Sequence, residues 1–218
     1  MKKFAFLYIV LFAQYCFAQR EYHFNYLSVY EITQTTPPQP AKEVRVYDHS
    51  EDTGYQMILY PDAARIHDDA RNEIHYFKTE VVADTLRYQY EYSLKVLFSN
   101  DVEITNVQLK KRSDRDYELT YVKKSPKNQT REKMEFCLME SEEDLLNITY
   151  NENGKKESNL LLNRLRKSLD RSLNYRVEEA LHTAGRYKTQ YRRTTLQQVE
   201  LTVTLPAAIH YKNSFLKN

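Results

Sequence analysis

The sequence predicts an α+β protein built on an antiparallel, strongly curled sheet. The sheet would form an open half-barrel or sandwich-like layer, with a late helical hairpin packed on its concave face. Three observations predict this. Large apolar or aromatic residues alternate with polar ones through most of the chain, the period of strands with one buried face. The alternating runs follow one another across short turns, as antiparallel neighbours do. Then Leu161, Leu165, Leu169, Leu173, Val177 and Leu181 recur at every fourth residue, which is helical spacing.

The first element is not part of that fold. "MKKFAFLYIVLFAQYCFAQ" carries Lys2 and Lys3, then an uncharged apolar run, then Cys16 and Ala18 at positions −3 and −1 of a cut before Gln19. This is the layout of a secretory signal peptide. The run is shorter than the roughly 20 residues that span a bilayer. Gln14 and Tyr15 before Cys16 argue against a lipoprotein signal. The expectation is cleavage between Ala18 and Gln19, an exported chain in the periplasm or outside the cell, and no transmembrane span after residues 1–18 leave.

Residues 19–206 then read as one β-rich domain. "YHFNYLSVYEI" places Tyr22, Phe24, Tyr26, Ser28, Tyr30 and Ile32 on one face, and "TPPQP" stops it. "EVRVYDHS" and "YQMILYP" are short strands, and "NEIHYFKTEV" is a weaker one. "LRYQYEYSLKVLF" is the cleanest, with Leu86, Tyr88, Tyr90, Tyr92, Leu94, Val96 and Phe98 on alternate positions. "DVEITNVQLKK" changes phase between Ile104 and Val107, which predicts a bulge near Thr105 or Asn106. "RDYELTYVKK" turns Tyr117, Leu119 and Tyr121 inward, and "EKMEFCLM" does the same with Met134, Phe136 and Leu138. "DLLNITYNE" follows the acidic turn "ESEED" and closes on Asn153-Gly154, a pair suited to positive φ. The helices are expected near 159–184, with Gly185 as the stop. Two strands end the domain, the second with Val199, Leu201, Val203 and Leu205 on one side, and residues 207–218 read as a loose tail.

Composition removes several function classes. Without residues 1–18, Lys+Arg falls from 32 to 30 and equals Asp+Glu at 30. A nucleic-acid binder carries a basic footprint, so no nucleic-acid partner is expected. Acidic side chains outnumber basic ones over residues 19–154, and the reverse holds over 155–195. Arg164, Arg166, Lys167, Arg171 and Arg176 could therefore face anionic lipid, or pair with the acidic remainder of the same chain. Of two cysteines only Cys137 survives cleavage, so no internal disulfide can form, and it reads as a structural thiol. The three glycines of the chain lie in no phosphate-cradling motif. No nucleophile motif is present, and neither a catalytic residue nor a cofactor is implied.

Two sets of residues are the candidate sites. Nineteen tyrosines and no tryptophan raise an aromatic-lined cavity, because tyrosine joins an apolar body to a polar tip. Tyr88, Tyr90, Tyr92, Tyr117 and Tyr121 would line it. In "RIHDDARNEIHYF", His67, Asp69 and His75 are weak metal candidates, since imidazole and carboxylate suit zinc. Their spacing matches no familiar site, and a surface loop between strands is the expectation there.

An exported chain of this size with a curled antiparallel sheet, late helices and few glycines resembles the half-barrel folds of bacterial periplasmic lipoprotein carriers. It is also similar to small exported β-rich proteins of Bacteroidota, whose leaders share the "FAQ" ending. Two functions follow. One is a non-catalytic interaction or structural module of the envelope. The other is a carrier for a lipid-like or other apolar ligand, whose resemblance implies a cavity beneath the helices. The discriminator is whether Leu161, Leu165 and Leu169 fill the concave side of the sheet.

Overall fold

The structure is a computed structural model that describes residues 19–83, 85–96, 103–125, 128–146 and 155–212. The leader, the Asn153-Gly154 turn, most of the "DLLNITYNE" run and residues 213–218 lie outside the described residues. What is described is almost entirely strand: β1 (Glu21–Thr36), β2 (Lys42–Asp48), β3 (Tyr55–Leu59), β4 (Ala63–Asp68), β5 (Glu73–Val82), β6 (Thr85–Lys95), β7 (Glu103–Lys111), β8 (Asp116–Lys124), β9 (Gln129–Ser141), β10 (Asn174–Ala184) and β11 (Tyr187–Thr204), with one helix, α1 (Lys155–Arg166), between β9 and β10. They form one antiparallel sheet in the order β6-β5-β4-β3-β2-β1-β11-β10-β9-β8-β7. Two meanders, β1–β6 and β7–β11, are thus joined by the pairing of the two longest strands, β1 and β11.

This order forces curvature. β6 and β7 are the two edges, yet only eight peptide steps separate Lys95 from Glu103. Eight extended residues reach at most about 28 Å, whereas eleven flat strands would be about 48 Å wide. The sheet must curl to bring its edges within that reach, and it stays unclosed because β6 and β7 do not pair. Register shifts in the β1–β11 ladder at Phe24/Tyr26, Val29/Tyr30 and Gln34/Thr36 supply bends, as bulges do.

Two cores result. In one lobe, Leu161, Leu162 and Leu165 of α1, with Leu169 just beyond it, pack on Tyr117, Leu119 and Tyr121 of β8, Met134, Phe136 and Leu138 of β9, and Val177 and Ala180 of β10. In the other, Tyr22 and Phe24 of β1 and Val203 of β11 pack with Leu205 over Met57, Ala64, Ile66 and Phe77. Aromatic edges close this second core: Tyr22 and Phe24 lie 5.0 and 5.5 Å from the Tyr55 ring.

The helical hairpin is corrected. Among the described residues only the 12 residues Lys155–Arg166 form an α-helix, and 174–184 is strand β10, so the protein is not α+β with a hairpin of helices but nearly all sheet. The misleading spacing has a physical source. β10 carries a bulge at Glu178, between Val177 and Glu179 in its pairing with β9, and the extra residue puts Val177 and Ala180 on the same face. Three-residue spacing on a bulged strand imitates a helix. Gly185 likewise stops no helix: Ala184 pairs with Tyr187 across a two-residue turn in which Gly185 has φ 59°, the glycine-first pattern of a primed hairpin turn. Nothing crowds its Cβ position, so Gly185→Ala tests backbone strain alone. A loss of about 1 kcal/mol is expected, with a smaller loss for Gly185→Asn; equal urea midpoints for wild type and Gly185→Ala would contradict the turn.

Three further expectations change. "RIHDDARNEIHYF" is a surface loop only at its turn, residues 69–72; its first four residues belong to strand β4, in which His67 and Asp68 are buried, and its last five to β5. The two final runs form one 18-residue strand, β11. The tail is held as far as Lys212: Ser93 N–H donates to His210 O at 2.8 Å, and Lys212 N–H donates to Ser93 O at 3.0 Å. The bulge in β7 lies where the phase change placed it, with Asn106 at φ 54°.

Candidate functional site

The densest group of buried polar side chains lies in the β1–β6 lobe, where β4, β5 and β6 meet both ends of the described chain. Strand alternation sends His75 and Phe77 of β5 to the same face, toward Tyr22 of β1. His75 and Ser93, opposite each other in the β5–β6 ladder, have no exposed surface. His75 Nδ1 lies 2.7 Å from Ser93 Oγ, which is 2.8 Å from the Tyr90 hydroxyl. His75 Nε2 lies 2.8 Å from the Tyr22 hydroxyl, which donates to Asp68 Oδ2 at 2.7 Å.

One proton assignment runs through this chain with a neutral ring. Tyr90, whose hydroxyl also lies 3.1 Å from His210 O, donates to Ser93, Ser93 to Nδ1 of His75, Nε2–H to Tyr22, and Tyr22 to the Asp68 carboxylate. Asp68 also accepts from Arg71 Nη1 at 3.0 Å and from the Arg71 backbone N–H at 2.9 Å. Burial is the main cause that pulls His75 down to about 4, so the ring is neutral at pH 7 as the assignment requires. Burial also drives the Tyr22 hydroxyl upward, keeping it a donor.

Glu73 joins the first and last segments of the described residues. Arg20 Nη1 donates to Glu73 Oε2 at 2.6 Å, and the Tyr211 hydroxyl donates to Glu73 Oε1 at 2.7 Å. Burial alone would raise the Glu73 carboxyl, but the bonds from Tyr211 and Arg20 outweigh it and hold it below its usual range. The arrangement resembles a nucleophile and base only on paper. Ser93 Oγ is sealed at zero exposure and engaged by two neighbours. Its chemistry is that of a clasp, in which hydrogen-bonded buried groups fix one arrangement of Arg20 and Tyr211 about Glu73.

The five candidate tyrosines do not converge. Tyr117 and Tyr121 are buried beneath α1 in one core, while Tyr88 and Tyr90 border the other. Tyr92 is separated from Tyr90 by a bulge at Glu91: Phe77 pairs with Tyr90 but Tyr76 pairs with Tyr92. Tyr92 therefore stacks on Tyr76 at 4.6 Å, on the opposite face from the Phe77–Tyr90 contact. The metal candidates also separate. His67 pairs with Ile74 and points to the face opposite His75, and among the described residues no three His, Cys, Asp or Glu side chains group to hold a metal ion.

Another buried carboxylate, Glu132, sits in the other lobe at 2.9 Å from His182 Nε2 and accepts from Tyr121 at 3.1 Å. Burial would raise it, and the His182 contact holds it low. On the outer face of β8–β10, opposite α1, an open groove of about 390 Å³ is lined by Arg112, Asp116, Glu135, Cys137 and Glu179. Burial and Asp116 push the Cys137 thiol upward, which keeps it protonated and unreactive. Two of the late basic residues pair internally, Arg166 with Asp144 at 2.9 Å and Arg176 with Glu178 at 3.2 Å. Among the described residues no helix is long and apolar enough to cross a membrane.

The clasp was missed in the sequence because the contacts that join its strands to Tyr22 and Tyr211 link residues 46 to 138 apart. The local signal was the alternation that gives His75 the same face as Phe77. No protein-family model matches this chain, and no curated protein matches it.

Proposed function

We propose that the chain is an exported, non-catalytic interaction or structural module of the cell envelope. The observation that carries this reading is the filling of the helix-covered face. Leu161, Leu162 and Leu165 are 0–2% exposed and lie directly on Tyr117 and Tyr121, where a carrier would hold its apolar cargo. The buried titratable groups of the other lobe support the same reading, since they are spent on joining Arg20 and Tyr211 through Glu73. Export is supported by the Lys2–Lys3, apolar and small-residue layout of residues 1–18.

Native mass spectrometry of residues 19–218 tests this, with the chain produced behind its own leader and purified without detergent. The expected result is the mass of the bare polypeptide. A reproducible added mass that extracts into organic solvent would overturn the proposal in favour of a lipid-like cargo.

A further inference from the structure

β6 is an edge strand whose outer side stays open along most of its length. Among the described residues the backbone of the strap at His210–Lys212 bonds to it only at Ser93, and the strap's other contacts are to the side chains of Tyr90, Tyr92 and Lys95. From Thr85 to Glu91 no backbone group bonds to anything but β5 among the described residues. Arg87, Gln89 and Glu91 are exposed on one face, and neither charge makes an ion pair among the described residues. Glu80 lies across the ladder from Arg87 without closing on it. An exposed edge is a template for another strand.

The order of these residues is self-complementary. Antiparallel pairing of two β6 strands about a two-fold axis at Gln89 puts Arg87 opposite Glu91 of the second copy, and Glu91 opposite its Arg87. Tyr88 meets Tyr90 on the other face, twice, and opposed aromatic and opposite-charge pairs are the stabilising units of a ladder. The register is also bounded. Moving it two residues one way drives Arg87 against the strap on Ser93, and two residues the other way loses both charge pairs.

We propose that this edge is a self-association surface, and that two copies of the chain join through residues 87–91 of β6 into one continuous sheet with isologous symmetry. The inference rests on the reading of the chain as an interaction module and names its partner as a second copy. The ladder is short, since the bulge at Glu91 and the strap end it, so the interface is at the small end of the known range. Dissociation on the order of 10–100 μM is expected, and the dimer is seen only in concentrated solution.

Sedimentation across concentration, with residues 19–218, tests the pairing through charge reversal. Arg87→Glu and Glu91→Arg should each weaken self-association roughly tenfold, because symmetry makes each change act twice. An equimolar mixture of the two should dimerise again, since each then offers what the other lacks. Gln89→Cys in a Cys137→Ser background should form an intermolecular disulfide under mild oxidant, because opposed Cα atoms at about 4.5 or 5.5 Å fall inside the bonding window of about 4.4–6.8 Å. The substitutions at Arg87, Gln89 and Glu91 lie on the exposed edge, Cys137→Ser is a near-isosteric change in β9, and unchanged circular dichroism will show that folding is intact. A wild-type chain that stays monomeric to several hundred micromolar overturns the proposal and leaves the edge to a strand of another protein. Dimers that ignore both reversals overturn it as well. Mass doubling is read independently of any added ligand mass, so this failure and a failure of the non-carrier reading are distinguishable.

Discussion

Leu165→Ala is expected to destabilise the protein by about 3 kcal/mol, within the range of roughly 2–5 kcal/mol for buried leucines. Leu165 has no exposed surface and packs in the core formed by Leu161, Leu162, Tyr117, Leu119 and Tyr121. A helix of 12 residues is marginal in water by itself, so α1 is held by this packing rather than by its own propensity. Truncation therefore removes transfer energy and leaves a cavity between helix and sheet. Leu160 of the same helix is 44% exposed, and Leu160→Ala should change stability by no more than about 0.5 kcal/mol. Urea unfolding of the two variants checks both expectations. A loss below about 1 kcal/mol for Leu165→Ala would mean that α1 does not seat on β8 and β9, and the filled-face argument against a cargo would go with it.

The legibility of this fold tracks the physics of each strand. β8 was readable because Tyr117, Leu119 and Tyr121 are all buried and their neighbours are not; a one-sided strand states its face in its own sequence. β4 was not readable, because what it buries is partly polar: Asp68 shares a face with Ala64 and Ile66, and His67 is buried on the other. The burial of Asp68 is licensed in part by Tyr22 of β1, which no local window contains. β10 was read as helix because one bulge converts a period of two into a step of three. The tyrosine stripe of β6 failed for the same reason. The bulge at Glu91 divides it, sending Tyr88 and Tyr90 to one face and Tyr92 to the other, so a run that looked like a cavity wall serves two surfaces. Bulges are set by tertiary closure of the curled sheet, and alternation carries no warning of them unless the phase visibly slips, as it does at Thr105–Asn106.

The clasp makes stability fall with acid through one histidine. The ordinary value for His75 is 6.5, and its folded value is about 4, with burial as the largest cause. Glu73 and Asp68 favour its charged form, whereas Arg20 and Arg71 oppose it; Tyr22, Tyr90 and Ser93 meet it as neutral hydroxyls, and Tyr211 reaches it through Glu73. Because the folded value is depressed, the unfolded chain takes up a proton that the native ring refuses between pH 6.5 and 4. Stability is therefore full above about pH 7 and declines toward pH 4, by about 3 kcal/mol from this group. Glu73 is also held low, but as a carboxylate it contributes above its ordinary range and loses that contribution only below about pH 4.5, so the two windows adjoin rather than coincide. His75→Gln should be less stable than wild type at pH 8 by about 1–3 kcal/mol, because Ser93 and Tyr22 lose a matched partner in a buried site. The same variant should show a much shallower decline between pH 7 and 4.5, and urea midpoints at pH 8, 6, 5 and 4.5 will measure both effects. If His75→Gln keeps the wild-type slope, the decline belongs to other groups and the neutral imidazole is not what holds Tyr22 and Ser93. If the slope vanishes, the protection of the Ser93 and Lys212 amides, measured relative to their intrinsic exchange rates, should fall in wild type over that same interval, because the strap bonded through these two amides is fastened to the protonation of His75.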